Sequence, residues 1–419
     1  MPGAGTRPAD MSAEPKARML DVSRLVSRIG RGPLTGVDRV ERAYLVALLA
    51  RTTPLFLLVR SPVGYLVLPR SAGPLILGWL DAPQTVPRPG LPFGLARDLS
   101  LPRQARIALR ARRVRSCLPW RLTAAARATM PQGGVYLNVG HSNLSHRTLS
   151  QLHSVPGLRL AVMVHDTIPL DHPEYCRDEA VASFRKGFRA VADHADVILC
   201  PSQAAARATA GWCVKCGRSP EIRAVPLGLD PVKPALAEIP ATIDLRRPYF
   251  LALGTIEPRK NHALLLDIWE AMAAELPAEA MPQLVIVGRR GWRNEDVFAR
   301  LDALRTPASA IREFGDLGDG AVAALLLGAR ALLMPSLAEG YGLPVAEAAR
   351  AGTPVLCNDL PVFREVLGDY AVYADVGDMY SWKTTIIEFA GRVRAPGSGH
   401  FFEAETGWTD HFKVVLSIV

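Results

Sequence analysis

Two carboxylates, Glu339 and Glu347, stand with seven residues between them in the stretch Pro335-Ser-Leu-Ala-Glu-Gly-Tyr-Gly-Leu-Pro-Val-Ala-Glu-Ala-Ala-Arg-Ala-Gly-Thr-Pro-Val-Leu-Cys-Asn-Asp359. Between them, Gly340 and Gly342 let backbone N–H groups approach a ligand where a Cβ would obstruct. A basic pair, Arg259 and Lys260, precedes Asn261 and offers charge-assisted donors to a diphosphate at a helix N-terminus. His165 and Asp166 close the aliphatic run Leu158-Arg-Leu-Ala-Val-Met-Val164, which is how a strand delivers polar groups to a cleft.

These groups need particular elements to hold them. Ala331-Leu-Leu-Met334 is a short apolar run of the kind that forms a buried parallel strand, and Pro335 ends it. After the glycine loop, Pro344 suits the first turn of a helix that carries Glu347 on that turn. Gly352 caps the helix and Thr353-Pro-Val-Leu-Cys357 begins the next strand, completing a βαβ unit with its loop at the strand's carboxyl end. Tyr249-Phe-Leu-Ala-Leu-Gly254 is likewise a strand, with Thr255 to His262 leading into a helix over 263–276. Nearer the N-terminus, 18–26 reads as a first strand, Gly30-Arg-Gly-Pro-Leu-Thr-Gly36 as a glycine loop, and 37–45 as helical.

The Glu-x7-Glu spacing with Gly-x-Gly-x-Pro inside it resembles the nucleotide-sugar site of retaining glycosyltransferases of the GT-B fold, family 4 type. The resemblance covers roughly residues 19–379 and is densest over 249–262 and 331–359. It implies an α/β protein of two Rossmann-like domains facing across a cleft, moving a sugar from a nucleoside diphosphate sugar to a hydroxyl acceptor. By that resemblance Glu339 bonds donor-sugar hydroxyls, Glu347 bonds the ribose, and Lys260-Asn261 holds donor phosphate. Many relatives carry an arginine where this chain has Thr255, so the second phosphate contact falls to Arg259. His165 would lie close to the reacting sugar with Asp166 beside it, and Phe314-Gly-Asp-Leu317 would meet the base. The donor contacts it implies are Gly36, Gly254, Arg259, Lys260, Asn261, Gly340, Tyr341, Gly342, Leu343 and Glu347, with Gly32 also near the cleft. A carboxylate can accept from two vicinal hydroxyls, which suits both glutamates. No metal and no resident cofactor is expected, the nucleoside diphosphate sugar being a substrate. Rival readings are a nucleotide-sugar epimerase of similar plan and a non-catalytic sugar-nucleotide-binding protein.

The chain has 419 residues, enough for two domains, and is 49% hydrophobic and 21% charged. Residues 1–17 read as a disordered lead, 18–230 as the acceptor-side domain, 231–247 as a linker, 248–391 as the nucleotide-sugar domain, and 392–419 as a tail crossing back to the first domain. The lead has no apolar h-region and no apolar run approaches about 18 residues, so a cytoplasmic protein is expected. Six scattered cysteines fit a reducing compartment, and Cys213-Val-Lys-Cys216 reads as chance spacing in a surface loop.

The net charge of +9 is unevenly spread. Residues 1–130 hold 21 Lys+Arg against 7 Asp+Glu, and the remainder holds 28 against 33. Within the basic third, 101–130 reads as one helix with Arg103, Arg106, Arg110 and Arg113 at helical spacing among apolar residues. Two readings stay open: a solvated basic face, or peripheral contact with an anionic membrane at its inner face, each basic residue contributing roughly 1 kcal/mol. No nucleic-acid reader motif accompanies the arginines. The expected acceptor is a glycan or lipid-linked glycan. His141, at the end of the strand 134–139, is a further candidate for acceptor contact.

Overall fold

The structure, a computed structural model, describes residues 14–89, 99–392 and 407–419. Of the expected lead, only 14–17 fall among them, and residues 393–406 of the expected tail lie outside. The first sheet comprises β1 (Arg18–Asp21), β2 (Leu55–Ser61), β3 (Gly64–Pro69), β4 (Arg115–Cys117), β5 (Gly134–Asn138), β6 (Leu158–Met163), β7 (Val197–Cys200) and β8 (Glu221–Ala224). Its order is β4-β3-β2-β1-β5-β6-β7-β8. The strands from β2 across to β8 run parallel, while β3 and β4 add an antiparallel edge. β1 and β7 are buried throughout, as strands covered on both faces must be; β7 is wholly apolar, while β1 has at its ends the buried Arg18, which donates to Thr53 Oγ1, and Asp21.

The second sheet is all parallel: β9 (Tyr249–Leu253), β10 (Gln283–Val287), β11 (Ile311–Phe314), β12 (Leu332–Met334), β13 (Val355–Cys357) and β14 (Val372–Tyr373), in the order β11-β10-β9-β12-β13-β14. The chain leaves β9 toward β10 and later returns on its other side at β12, so a crevice opens between the carboxyl ends of β9 and β12. β1 and β5 make the same switch in the first sheet. The two crevices face each other. The last helix, Trp408–Ile418, returns to the first domain, where Phe412 and Val415 are buried in its core and His411 bonds Pro226 O and Tyr44 Oη. Burying two such side chains contributes on the order of 1.5–3 kcal/mol each.

Several elements differ from the sequence reading. The first strand stops at Asp21, whose Oδ1 accepts from Ser23 N and turns the chain into the short helix Ser23–Arg28. Residues 101–130 do not form one helix. Leu101–Ala111 is helical, Arg115–Cys117 pairs with β3, and Leu122–Thr129 is a second helix. Arg113 therefore leaves the stripe. The break follows from edge pairing: Val114 N donates to Val67 O, and the β4 ladder satisfies the backbone in place of helix bonds. Cys213 is not in a surface loop but buried on the helix Gln203–Lys215, where burial pushes its thiol up to about 11. The helix Ala72–Asp81 was not anticipated, because its Gly and Pro mask a run that is apolar all round.

Candidate functional site

The expected residues assemble at the crevice. Gly342, at φ 90, is the N-cap of the helix Leu343–Arg350, and a residue with a Cβ would be strained there. Pro344 occupies the first turn, while Glu347 sits one turn further on than expected. The helix ends in a Schellman arrangement, with Thr353 N bonded to Ala348 O and Gly352 at φ 67. Beyond the neighbouring strand β9, Asn261 takes the left-handed conformation, φ 52 and ψ 44, between the turn Pro258–Lys260 and the helix His262–Glu275. A position that demands Asn or Gly immediately after the lysine thus has a steric origin.

Glu339 is the electrostatic centre. Its side chain is 8% exposed, with Lys260 Nζ 2.5 Å from one oxygen and Arg259 Nη1 2.9 Å from the other. Burial alone would raise this carboxyl, but Arg259 and Lys260 outweigh it and hold it at about 2. Burial lowers the Lys260 ammonium, against the pull of Glu339. Arg259 is tied into the protein at several points: Nε meets Glu257 at 2.7 Å, Nη1 also donates to Ala338 O, and its own carbonyl accepts from Leu337 N. Arg259 therefore fastens the loop 337–339 to the loop after β9. Lys260, with a single acidic partner, is the better placed of the two to meet an incoming phosphate. Gly254, at φ 128, lies against the Lys260 stem.

Across the cleft, His165 is buried and its Nε2 is 2.7 Å from Val139 O, a pure acceptor. That nitrogen must carry the proton, leaving Nδ1 as the bare acceptor. Burial, opposed by the Val139 carbonyl, brings the imidazole down to about 4. Asp166 does not bond His165; its Oδ1 accepts from Ile168 N, and burial raises it against the pull of Arg259. A Cβ on Gly340 would stand 2.4 Å from His165 O and 2.9 Å from Asp166 Cβ, so the two loops touch here and require glycine. Ser202 Oγ donates to Gly340 O, and Tyr341 Oη to Leu227 O. Gly36 faces Leu343, whose Cδ1 a Cβ added at Gly36 would meet at 3.3 Å. His141, at φ 57, turns its Nε2 toward Met163 O and packs its ring against that of His165, with centroids 4.9 Å apart and planes tilted by 58°, so it braces His165.

Three participants were not foreseen. Arg39, on the helix Gly36–Leu49, pairs with Glu347 at 2.5 Å from the opposite domain. Arg289, just past β10, holds Asp316 and donates to Arg31 O beside Gly32. Glu257 anchors Arg259. Only Arg39, directly after the glycine loop, carried a sequence hint. Among the described residues no group of three or more His, Cys, Asp or Glu is disposed to hold a metal ion.

Residues 238–390 match the family model described as Glycosyl transferases group 1. The serotype-specific mannosyltransferase WbdA of Escherichia coli is 31% identical over 229 residues, covering 50% of this chain and 27% of that protein. The O-antigen chain mannosyltransferase B of Escherichia coli is 35% identical over 140 residues, covering 33% and 36%. The chain thus spans about a quarter to a third of the length of these curated relatives. Among solved structures, the HepE protein of Anabaena in complex with UDP and glucose superposes with a TM-score of 0.57 at 14% identity, over 96% of this chain and 98% of that one. The architecture is GT-B, and most of the second domain lies within the stretch that matches the glycosyl transferases group 1 model.

Proposed function

We propose that this chain, whose second domain matches the glycosyl transferases group 1 family, is a retaining glycosyltransferase that moves a hexose from a nucleoside diphosphate sugar to a hydroxyl acceptor. The observation that carries the reading is Glu339, ionised and gripped by Lys260 and Arg259, on the same glycine loop that leads to Glu347 and directly opposite neutral His165. Glu339 and the Nδ1 of His165 supply hydrogen-bond acceptors for sugar hydroxyls. The first N–H groups of the helix Leu343–Arg350, with Lys260, face the diphosphate. As the C1–O bond to the diphosphate breaks, charge grows on the leaving oxygen, and Lys260 with these dipoles neutralises it without a metal. A new C1–O bond forms to the acceptor oxygen, whose proton is released. Glu347 must give up Arg39, or share itself, to take the ribose hydroxyls.

The mannosyltransferases among the relatives make a mannose donor the first to test. The basic imbalance of residues 1–130 supports a glycan or lipid-linked acceptor met at the inner face of the membrane, with the protein peripheral there. Among the described residues no helix is long and apolar enough to cross a membrane. The test is nucleoside diphosphate release with and without acceptor, and the anomeric configuration of the product by NMR. Release that needs acceptor and retains configuration supports the reading. Sugar isomerisation without acceptor, or inversion, refutes it.

A further inference from the structure

The basic third of the chain holds a pocket that the donor site does not use. A cavity of about 370 Å³ opens between the β2–β3 turn, the edge strand β4 and the helix Leu101–Ala111. This lies within the size range of small-ligand sites. It sits at the carboxyl end of β2, on the cleft side of the sheet, and Leu101 of the same helix packs against Gly30 of the glycine loop. Its walls include Val63, Leu66, Ile107 and Leu118. Val63 is 59% exposed and Ile107 43%, and the exposed Val114 and Trp120 follow close by in the chain. Isolated exposed apolar residues are ordinary, but a group lining one cavity marks a binding surface.

Three arginines, Arg103, Arg106 and Arg110, line the same cavity. Arg106 Nε is buried and has no hydrogen-bond partner, while Arg31 and Arg103 add like charge beside it. Other partly buried arginines near the cleft have an acidic partner, as Arg24 has Asp38 and Arg39 has Glu347. The chain has little to offer here: between residues 82 and 165 there are twelve arginines and a single acid, Asp98. A guanidinium partly withdrawn from water without a counter-charge among the described residues is destabilising, and an anion from outside would relieve it.

An occupant must satisfy both halves. We propose that this pocket seats a phosphate-bearing membrane lipid, its phosphate on Arg106 flanked by Arg103 and Arg110 and its first chain carbons against Ile107, Val63 and Leu118. Arg113 takes no part. The position beside the glycine loop brings such a lipid's head group toward the donor crevice, which deepens the lipid-linked reading of the acceptor and rests on it. The lipid contact itself does not depend on the donor site.

The test uses the full chain and dihexanoyl phosphatidic acid below its critical micelle concentration, followed by calorimetry. Inorganic phosphate and dihexanoylglycerol serve as half-ligand controls, and nucleoside diphosphate is titrated into the same preparations. One saturable site is expected, with each half-ligand at least tenfold weaker. Arg106→Gln and Ile107→Asp should each weaken the lipid at least tenfold and leave nucleotide affinity unchanged. If Arg106→Gln does not fold, the exposed pair Arg103→Gln with Arg110→Gln replaces it. No saturable binding, binding indifferent to these variants, or inorganic phosphate binding as well as the lipid would overturn the proposal. Lipid binding without any nucleotide binding would leave the pocket standing and remove the transferase reading instead.

Discussion

Lys260→Met tests the division of labour between the two site cations. The methionine keeps most of the buried stem and removes the charge 2.5 Å from Glu339. A lost hydrogen bond to a charged group costs about 1.5–3 kcal/mol, so nucleoside diphosphate affinity should fall roughly 10- to 150-fold. Stability should suffer less. Removing one partner of an isolated buried pair costs about 3–5 kcal/mol, but Glu339 retains Arg259 at 2.9 Å, and a loss nearer 1–3 kcal/mol is expected. Arg259→Met should show the reverse balance, since that guanidinium joins Glu257, Glu339 and Ala338 O within the protein. Its melting temperature should drop further than that of Lys260→Met. Calorimetric titration with nucleoside diphosphate and thermal melts at pH 7 read both effects. Unchanged nucleotide affinity in Lys260→Met would remove Lys260 from the phosphate site, and an Arg259→Met chain that is stable but blind to nucleotide would exchange the two roles.

Chelation by EDTA should leave transfer largely intact, because Lys260 and the helix N-terminus supply the leaving-group charge; full loss restored by Mn²⁺ or Mg²⁺ would contradict this. Gly340→Ala should cut transfer at least tenfold and destabilise by about 1–3 kcal/mol, because its Cβ would stand 2.4 Å from the His165 carbonyl; native activity would show that the two loops are not in contact. Acidification should also destabilise the fold through histidine. Burial lowers His165 to about 4 and His141 to about 3, each from an ordinary 6.5. Below pH 6.5 the unfolded chain takes protons that the folded one refuses, so their contribution is whole above pH 6.5 and is lost as pH falls toward 4. The slope is roughly 1.4 kcal/mol per pH unit for each histidine. Urea melts between pH 7 and 5 measure it, and a flat profile would mean that these imidazoles are not buried neutral.

What the sequence made legible was whatever local sterics dictates. Gly342 and Gly352 punctuate the helix Leu343–Arg350 because their positive φ excludes other residues, and the apolar runs of β9 and β12 have no alternative to burial. Ser202 is the N-cap of Gln203–Lys215, its hydroxyl accepting from Ala205 N, a local bond that a serine directly ahead of a helical run makes. Long-range pairing was out of reach. Arg39 meets Glu347 and Arg289 reaches Arg31 O only because two separate sheets bring them face to face, and no spacing along the chain encodes that. The arginine segment misled for a related reason: an i, i+3, i+4 pattern continued past Ala111, but the unpaired edge of β3 captured the next residues as β4. Asp166, adjacent to His165 in sequence, turned its carboxylate instead to a backbone N–H of its own loop.

The central claim, that Glu339 and Lys260 form a nucleotide-sugar site, is most directly tested by titrating the purified chain with UDP-, GDP-, ADP- and dTDP-sugars while following its melting temperature, beside Glu339→Gln. One base should stabilise the native chain saturably. Glu339→Gln should bind the corresponding free nucleoside diphosphate nearly as well but lose the added stabilisation given by the sugar. If no nucleotide sugar stabilises the chain, or if the full nucleotide sugar stabilises Glu339→Gln as much as the native protein, the site has been assigned wrongly.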